Sequence, residues 1–238
     1  MFVDNFYTYT DRTLSFTKEQ ASSFAKDIAN DFNPIHDVDA KRFCVPGDLL
    51  FSVTVAQGGL SQNMEFIFAG LVGGGVNLIV DDFSAKELSI KDQSDKTYLV
   101  VKRSGEICKD EAALNALIRE YVAFSGENFP HILVPLMKQK DVMINPERPL
   151  VIYEKMLINL NNMKLTNPKL TLSNTELVVE GKRGNAILQF TITDTIEGVE
   201  QIVGTGEKHM VLSGLRAYQQ EAIDSMVNFY NNRKCQLA

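Results

Sequence analysis

A chain of 238 residues has room for one large domain or for two of about 100 to 120 residues, and its 45% apolar and 23% charged content argues against wholesale disorder or a fibrous repeat. The formal net charge of -6 and pI near 5.2 argue against nucleic-acid binding, which draws on clustered Lys and Arg.

The N-terminal MFVDNFYTYTDR has no basic segment followed by an apolar core, and no run approaches about 18 uninterrupted apolar residues, so neither export nor membrane spanning is expected. Cys44, Cys108 and Cys235 are odd in number and lack CxxC spacing, which fits a reducing cytoplasm. The histidines stand at 36, 131 and 209 without an HExxH pattern, so no metal is expected.

The first predicted element is a helix from Lys18 to about Ala29. Ala21, Phe24, Ala25 and Ile28 form its apolar stripe, and Thr17 with Gln20 fits a capping box at its start. The segment DFNPIHD follows, then Val45-Pro46 and an apolar stretch, LLFSVTVAQGGLSQNMEFIF, expected as a buried helix interrupted near Gly58-Gly59. Strands are predicted at Val76 to Phe83, Glu87 to Lys91 and Thr97 to Lys102.

A second helical stripe, Leu114, Leu117, Ile118 and Tyr121, repeats the first at a uniform shift of 93 residues. SGENFPHI then places Asn128 and His131 at a shift of 95 from Asn33 and His36, and Val134-Pro135 matches Val45-Pro46. This order of features reads as an internal duplication. Strands are expected from Leu150, Lys169, Ala186 and Val199, with turns at Gly181, Gly184 and Gly198, and a helix after Gly214 closes the chain. Strands bunched after helices indicate an α+β fold rather than a doubly wound parallel sheet.

The segment from Asp31 to His36 carries the clearest chemistry. Asn33-Pro34 bends the chain away from helix, so Asp31 and His36 can converge on one volume. With ordinary pKa values of about 3.9 and 6.5 they supply a carboxylate and a mostly neutral imidazole, able to orient a water and take its proton. The alternative is structural, with Asp31 capping a turn and His36 filling a polar hole.

DFNPIHD, followed by Ala40, Phe43 and a Gly47 that opens an apolar helix, resembles the signature of the MaoC-like (R)-specific enoyl-CoA hydratases of the hotdog superfamily. The resemblance covers Ala29 to Leu50. It implies a tandem (double) hotdog, with antiparallel sheets wrapped around central helices: residues 1–108 carrying the motif, a degenerate second half at 109–214, and a C-terminal helix at 215–238. It further implies Asp31 and His36 as the catalytic pair, Asn33 as loop support and the Gly47 N–H as polariser of a thioester carbonyl. Asn33, Pro34, Phe43 and Asp48 would adjoin the substrate.

Three positions depart from the pattern. Asn30 replaces a glycine, Pro46 replaces a histidine, and Gly47 follows His36 by only 11 residues. Asp48 is expected as a helix-dipole carboxylate. Gly73-Gly74-Gly75 reads as a turn, since no Lys-Ser/Thr follows it. Lys102, Arg103, Lys182 and Arg183 read as solvated strand ends, with contacts to coenzyme A phosphates as the alternative, and Cys44 has no base partner in the sequence around it.

The implied function is hydration or dehydration of an acyl-CoA or acyl-carrier enoyl thioester, with coenzyme A present only as part of the substrate and no other cofactor. A homodimer is compatible with this reading. A non-catalytic thioester- or protein-binding hotdog and a hotdog thioesterase are the alternatives.

Overall fold

The computed structural model describes residues 1–237. In chain order the elements are β1 (Thr8–Thr10), β2 (Thr13–Ser15), α1 (Lys18–Ser23), α2 (Gly47–Gly58), β3 (Leu60–Phe68), β4 (Leu78–Ile79), β5 (Glu87–Asp92) and β6 (Thr97–Cys108). They continue with α3 (Glu111–Gly126), α4 (Asn128–His131), α5 (Leu133–Gln139), β7 (Val142–Met143), β8 (Val151–Leu160), β9 (Lys169–Glu180), β10 (Arg183–Ile196), β11 (Val199–Ser213), β12 (Arg216–Ala217) and α6 (Gln220–Leu237).

Ten strands form one antiparallel sheet in the order β1-β2-β4-β5-β6-β3-β8-β11-β10-β9. Over four strands on each side of its centre the order follows one pattern: β3 is followed outward by β6, β5 and β4, and β8 by β11, β10 and β9, with β2 and β1 added at one edge alone. The two runs meet where β3 pairs with β8, Met64 opposite Ile158 and Phe66 opposite Met156.

The capping box predicted for α1 is present. Gln20 N–H donates to Thr17 Oγ1 at 3.1 Å, and Thr17 N–H donates to Gln20 Oε1 at 2.9 Å. After Ser23 the coil widens into a π-helical turn over Phe24–Ile28. Helix α2 is buried on nearly all sides, as its apolar composition requires, and Phe51 packs edge-on against Phe66 of β3.

The sequence reading extended this helical stretch past its glycines. The helix ends at Gly58, Gly59 takes φ 84°, and Leu60–Phe68 is a strand. Only a left-handed residue makes that reversal cheaply. The predicted strand at Val76 to Phe83 contracts to Leu78–Ile79, β6 runs on from Lys102 to Cys108, and Gly184, expected as a turn, is paired within β10 opposite Leu212 and Val179, whereas β5, β8, β9 and β11 fall close to where alternation placed them. Among the described residues no helix is long and apolar enough to cross a membrane.

Candidate functional site

The DFNPIH segment is held by its own backbone. Asn30 takes φ 54°, a left-handed conformation that asparagine tolerates better than most side chains, which accounts for its standing where the resembling pattern has glycine. Asp31 N–H then donates to Ala25 O at 2.7 Å, and Asp31 Oδ1 accepts from Asn33 N–H at 2.9 Å. Asn33 Oδ1 caps a single 3-10 turn, Pro34–His36, by accepting from Ile35 N–H at 3.1 Å. Asn33 and Pro34 are themselves exposed, so both shape the turn.

This turn brings Asp31 and His36 together, with Asp31 Oδ2 3.5 Å from His36 Nε2. The Asp31 side chain keeps 24% of its exposure and that of His36 11%, so the pair lies at the rim of the interior. His36 Nδ1 lies 2.7 Å from Cys44 O. A carbonyl only accepts, so Nδ1 carries a proton and Nε2 is the nitrogen that turns to Asp31. Burial alone would lower the His36 pKa, but the Asp31 carboxylate and the Cys44 carbonyl raise it overall. Burial would likewise raise Asp31, which His36, the Asn33 N–H and Lys208 hold below the ordinary carboxylate value.

Behind the pair lies a second group of buried polar side chains. Asp48, in the first turn of α2, is 7% exposed and accepts from Ser125 Oγ of α3 at 2.5 Å. Ser125 Oγ in turn accepts from Lys208 Nζ of β11, and Lys208 is 5% exposed with its ammonium 4.4 Å from the Tyr153 ring centroid. The hydroxyls of Tyr121 and Tyr153 touch each other beside this group. Asp48 stands in the first turn of α2, where a carboxylate suits the helix dipole, and it also binds across the core to α3. Burial raises its pKa more than Lys208 and Ser125 lower it, and burial lowers Lys208.

Sequence reasoning missed Lys208, Ser125 and Tyr153 as site residues and read Tyr121 as core stripe alone. A signal for Lys208 exists in β11, where Gly204, Gly206, Lys208, Met210 and Leu212 alternate inward, placing a lysine in the apolar phase of a strand.

Gly47 opens α2, but its surroundings are filled. A β-carbon there would lie 2.9 Å from Tyr153 Cδ1 and 3.2 Å from Phe68 Cε1, and those two rings stack 4.3 Å apart. Phe43 is half-buried, with its ring beneath Lys18 Nζ at 5.5 Å. Cys44 is buried, and burial pushes its thiol up to about 12, far from a thiolate nucleophile. Arg103 is no solvated strand end: it is 6% exposed, and its Nη1 donates to Gly58 O at 3.0 Å at the end of α2. His131 is exposed, whereas Asn128 is buried.

Helix α6 ties the motif loop to the end of α3. Tyr230 Oη donates to Asn30 O and Gly126 O, each at 3.3 Å, and its ring meets Phe32 and Phe129 edge-on. Arg233 reaches Phe32 O and Asp37, and Lys26 holds the other oxygen of Asp37 at 3.0 Å. Two open surface clefts, lined by residues such as Met143 and Arg216 or Gln62 and Asn159, lie on other faces.

A family model described as "Protein of unknown function (DUF3581)" matches residues 1–221, ending as α6 begins. No curated protein sequence matches the chain. Among solved structures, a tesB protein of Mycobacterium avium subsp. paratuberculosis is similar over 73% of this chain and 89% of its own, at 9% identity and a TM-score of 0.44. Acyl-CoA thioesterase II TesB2 from Mycobacterium marinum aligns over 92% of this chain and 100% of its own, at 8% identity and a TM-score of 0.41. The full-length peroxisomal multifunctional enzyme type 2 of Drosophila melanogaster aligns over 83% of this chain and 47% of its own, at 12% identity and a TM-score of 0.45. These are likenesses of chain path, and the activities in the names are those of the proteins that bear them.

Proposed function

The chain belongs to the DUF3581 family, and we propose that it is a double hotdog, halves at 1–108 and 109–214, that hydrates or dehydrates an acyl-CoA or acyl-carrier enoyl thioester. The observation that carries this reading is the convergence of Asp31 and His36, 3.5 Å apart at the rim of the interior, with Nδ1 of His36 tied to Cys44 O. That tie fixes the tautomer and leaves Nε2 and the Asp31 carboxylate to share a water. The water oxygen bonds to the β-carbon of a trans-2-enoyl thioester as the pair takes its proton. The pair returns a proton to the α-carbon, and the carbon–carbon double bond is consumed. The Gly47 N–H, at the positive end of α2, is the group in this reading that polarises the thioester carbonyl.

Loss of enoyl absorbance with enoyl-CoA of several chain lengths tests the proposal. Asp31→Asn and His36→Ala should each lower the rate by about 10²- to 10⁴-fold, the usual worth of a positioned acid or base. Thioester binding without loss of enoyl absorbance sinks it, and release of free thiol supports hydrolysis instead. The packing of Tyr153 and Phe68 against Gly47 favours a second reading, a non-catalytic hotdog that binds a thioester or a protein partner. Binding that survives both substitutions, with no turnover in the parent protein, is its signature.

A further inference from the structure

One side chain of α6 grips the motif turn at both ends. Arg233 Nε donates to Phe32 O at 3.4 Å, and its Nη2 donates to Asp37 Oδ2. Phe32 directly follows Asp31 and Asp37 directly follows His36, so the two acceptors are chain neighbours of the pair, with only Asn33 to His36 between them. A guanidinium is planar and rigid, so acceptors bound to two of its nitrogens are held at one separation, which a single ammonium on a flexible stem does not impose. Further contacts mark this as more than a surface ion pair. The Asp37 side chain is 13% exposed and that of Arg233 19%, and Lys26 Nζ, from the π-helical turn before the motif, meets Asp37 Oδ1 at 3.0 Å. Phe229, four residues before Arg233 on α6, is exposed, and its ring lies 5.5 Å from Arg233 Cζ. Burial gives no reason for an aromatic there, whereas a cation–π contact steadies the guanidinium. Tyr230 Oη adds a bond to Asn30 O, just before Asp31, and Ile223 anchors the start of the same helix in the core at 1% exposure.

We propose that Arg233 is a positioning residue of this site: by spanning Phe32 O and Asp37 it sets the 3.5 Å gap between Asp31 Oδ2 and His36 Nε2. It acts through the backbone of the turn and takes no part in the chemistry itself. With the grip released, the turn is still capped by Asn33, but its two ends are free to spread, and Asp31 and His36 stand at those ends. A pair that must share one water is sensitive to such spreading, since about 1 Å of misplacement costs about 10²-fold in rate. This inference rests on Asp31 and His36 being the working pair.

The test is a titration of His36 in the full chain labelled with ¹⁵N at histidine, the resonance assigned from its loss in His36→Ala. Arg233→Met should lower the His36 midpoint by about one pH unit, the loss expected when the distance to the Asp31 carboxylate opens from 3.5 Å to about 6 Å at an effective dielectric near 20. The sign separates the grip from a charge effect. Deleting a cation that acted by its charge alone would raise a neighbouring imidazole. A midpoint that rises, or stays within about 0.3 unit of the parent, overturns the proposal. Arg233→Lys keeps the charge and loses the two-point hold, so it should lower the midpoint as well. A lysine variant that titrates like the parent overturns the proposal, and this variant decides alone if Arg233→Met fails to fold. On the proposed function Arg233→Met also lowers kcat with little change in KM; a parent-like kcat beside a lowered midpoint overturns the positioning role. The titration needs no turnover, so a lowered midpoint in a protein whose parent form is inactive on enoyl-CoA sinks the hydratase reading and leaves the grip standing.

Discussion

Replacing Gly126 with alanine probes how closely α3 approaches the chain that leads into the motif loop. Gly126 ends α3, and a β-carbon built on it lies 1.7 Å from Ala29 O and 2.8 Å from the Ala29 carbonyl carbon. The first distance is 1.3 Å inside the 3.0 Å that real β-carbons essentially never cross, and the obstructing atoms are backbone, with no rotamer to escape into. The strand of chain being pushed leads straight into DFNPIH and is pinned by Asp31 N–H to Ala25 O at 2.7 Å. Overpacking of this kind costs about 1 to 3 kcal/mol, offset by a gain of at most about 1 kcal/mol from helix propensity. A net loss of about 2 kcal/mol is expected, which for a chain of this size lowers Tm by about 4 to 8 °C. On the proposed function, a displacement near 1 Å of Asp31 would also cost about 10²-fold in rate. Urea unfolding of Gly126→Ala beside the parent protein measures the first effect and enoyl absorbance the second. A stability change within about 0.5 kcal/mol, the range of an ordinary surface substitution, would refute the close approach.

Two further outcomes follow from buried hydrogen bonds. Asp194 is 2% exposed and accepts from Thr166 N–H at 2.7 Å, Thr166 Oγ1 and Asn167 N–H, and these donors hold its pKa below the ordinary value despite burial. A depressed folded pKa contributes stability that is fully present above the unfolded value of about 3.9 and is lost as pH falls through the folded value. Asp194→Asn should therefore lower the urea midpoint at neutral pH and flatten its fall below about pH 4; parallel curves for variant and parent would contradict this. Tyr230→Phe removes the hydroxyl that spans Asn30 O and Gly126 O, at an expected cost of about 1 kcal/mol, with faster amide exchange at Asp31 as the local sign. Unchanged exchange there would show that α6 does not hold the loop.

Much of the fold was legible because local rules decide it. Thr17 and Gln20 announce a capped helix, and the stripe Leu114, Leu117, Ile118 and Tyr121 is buried to 3% exposure or less. The bend at Asn33-Pro34 turns Asp31 and His36 toward each other as its chemistry requires. What failed was long in range. Leu60–Phe68 carries Leu60, Met64 and Phe66 inward, but α2 before it is equally apolar, so periodicity could not separate strand from helix. Asp48, Ser125 and Lys208 lie 77 and 83 residues apart along the chain, and no local pattern joins them. Arg103 reads as a surface charge until the end of α2 is seen to need a donor at Gly58 O.

The residues that meet at Asp48 come from three distant stretches of chain. Asn128 and His131 lie 95 residues after Asn33 and His36, yet Asn128 is buried without a side-chain partner among the described residues and His131 faces solvent, so these two form no pair of their own. What meets Asp48 arrives from other positions, Ser125 at the end of α3 and, through its hydroxyl, Lys208 on β11. A fragment ending before α3 would retain Asp31, His36 and Asp48 and lose both of those groups. Asp48 would then be a buried carboxylate with no hydrogen-bond partner, a cost of several kcal/mol that such a fragment could relieve only by protonating Asp48 or exposing it.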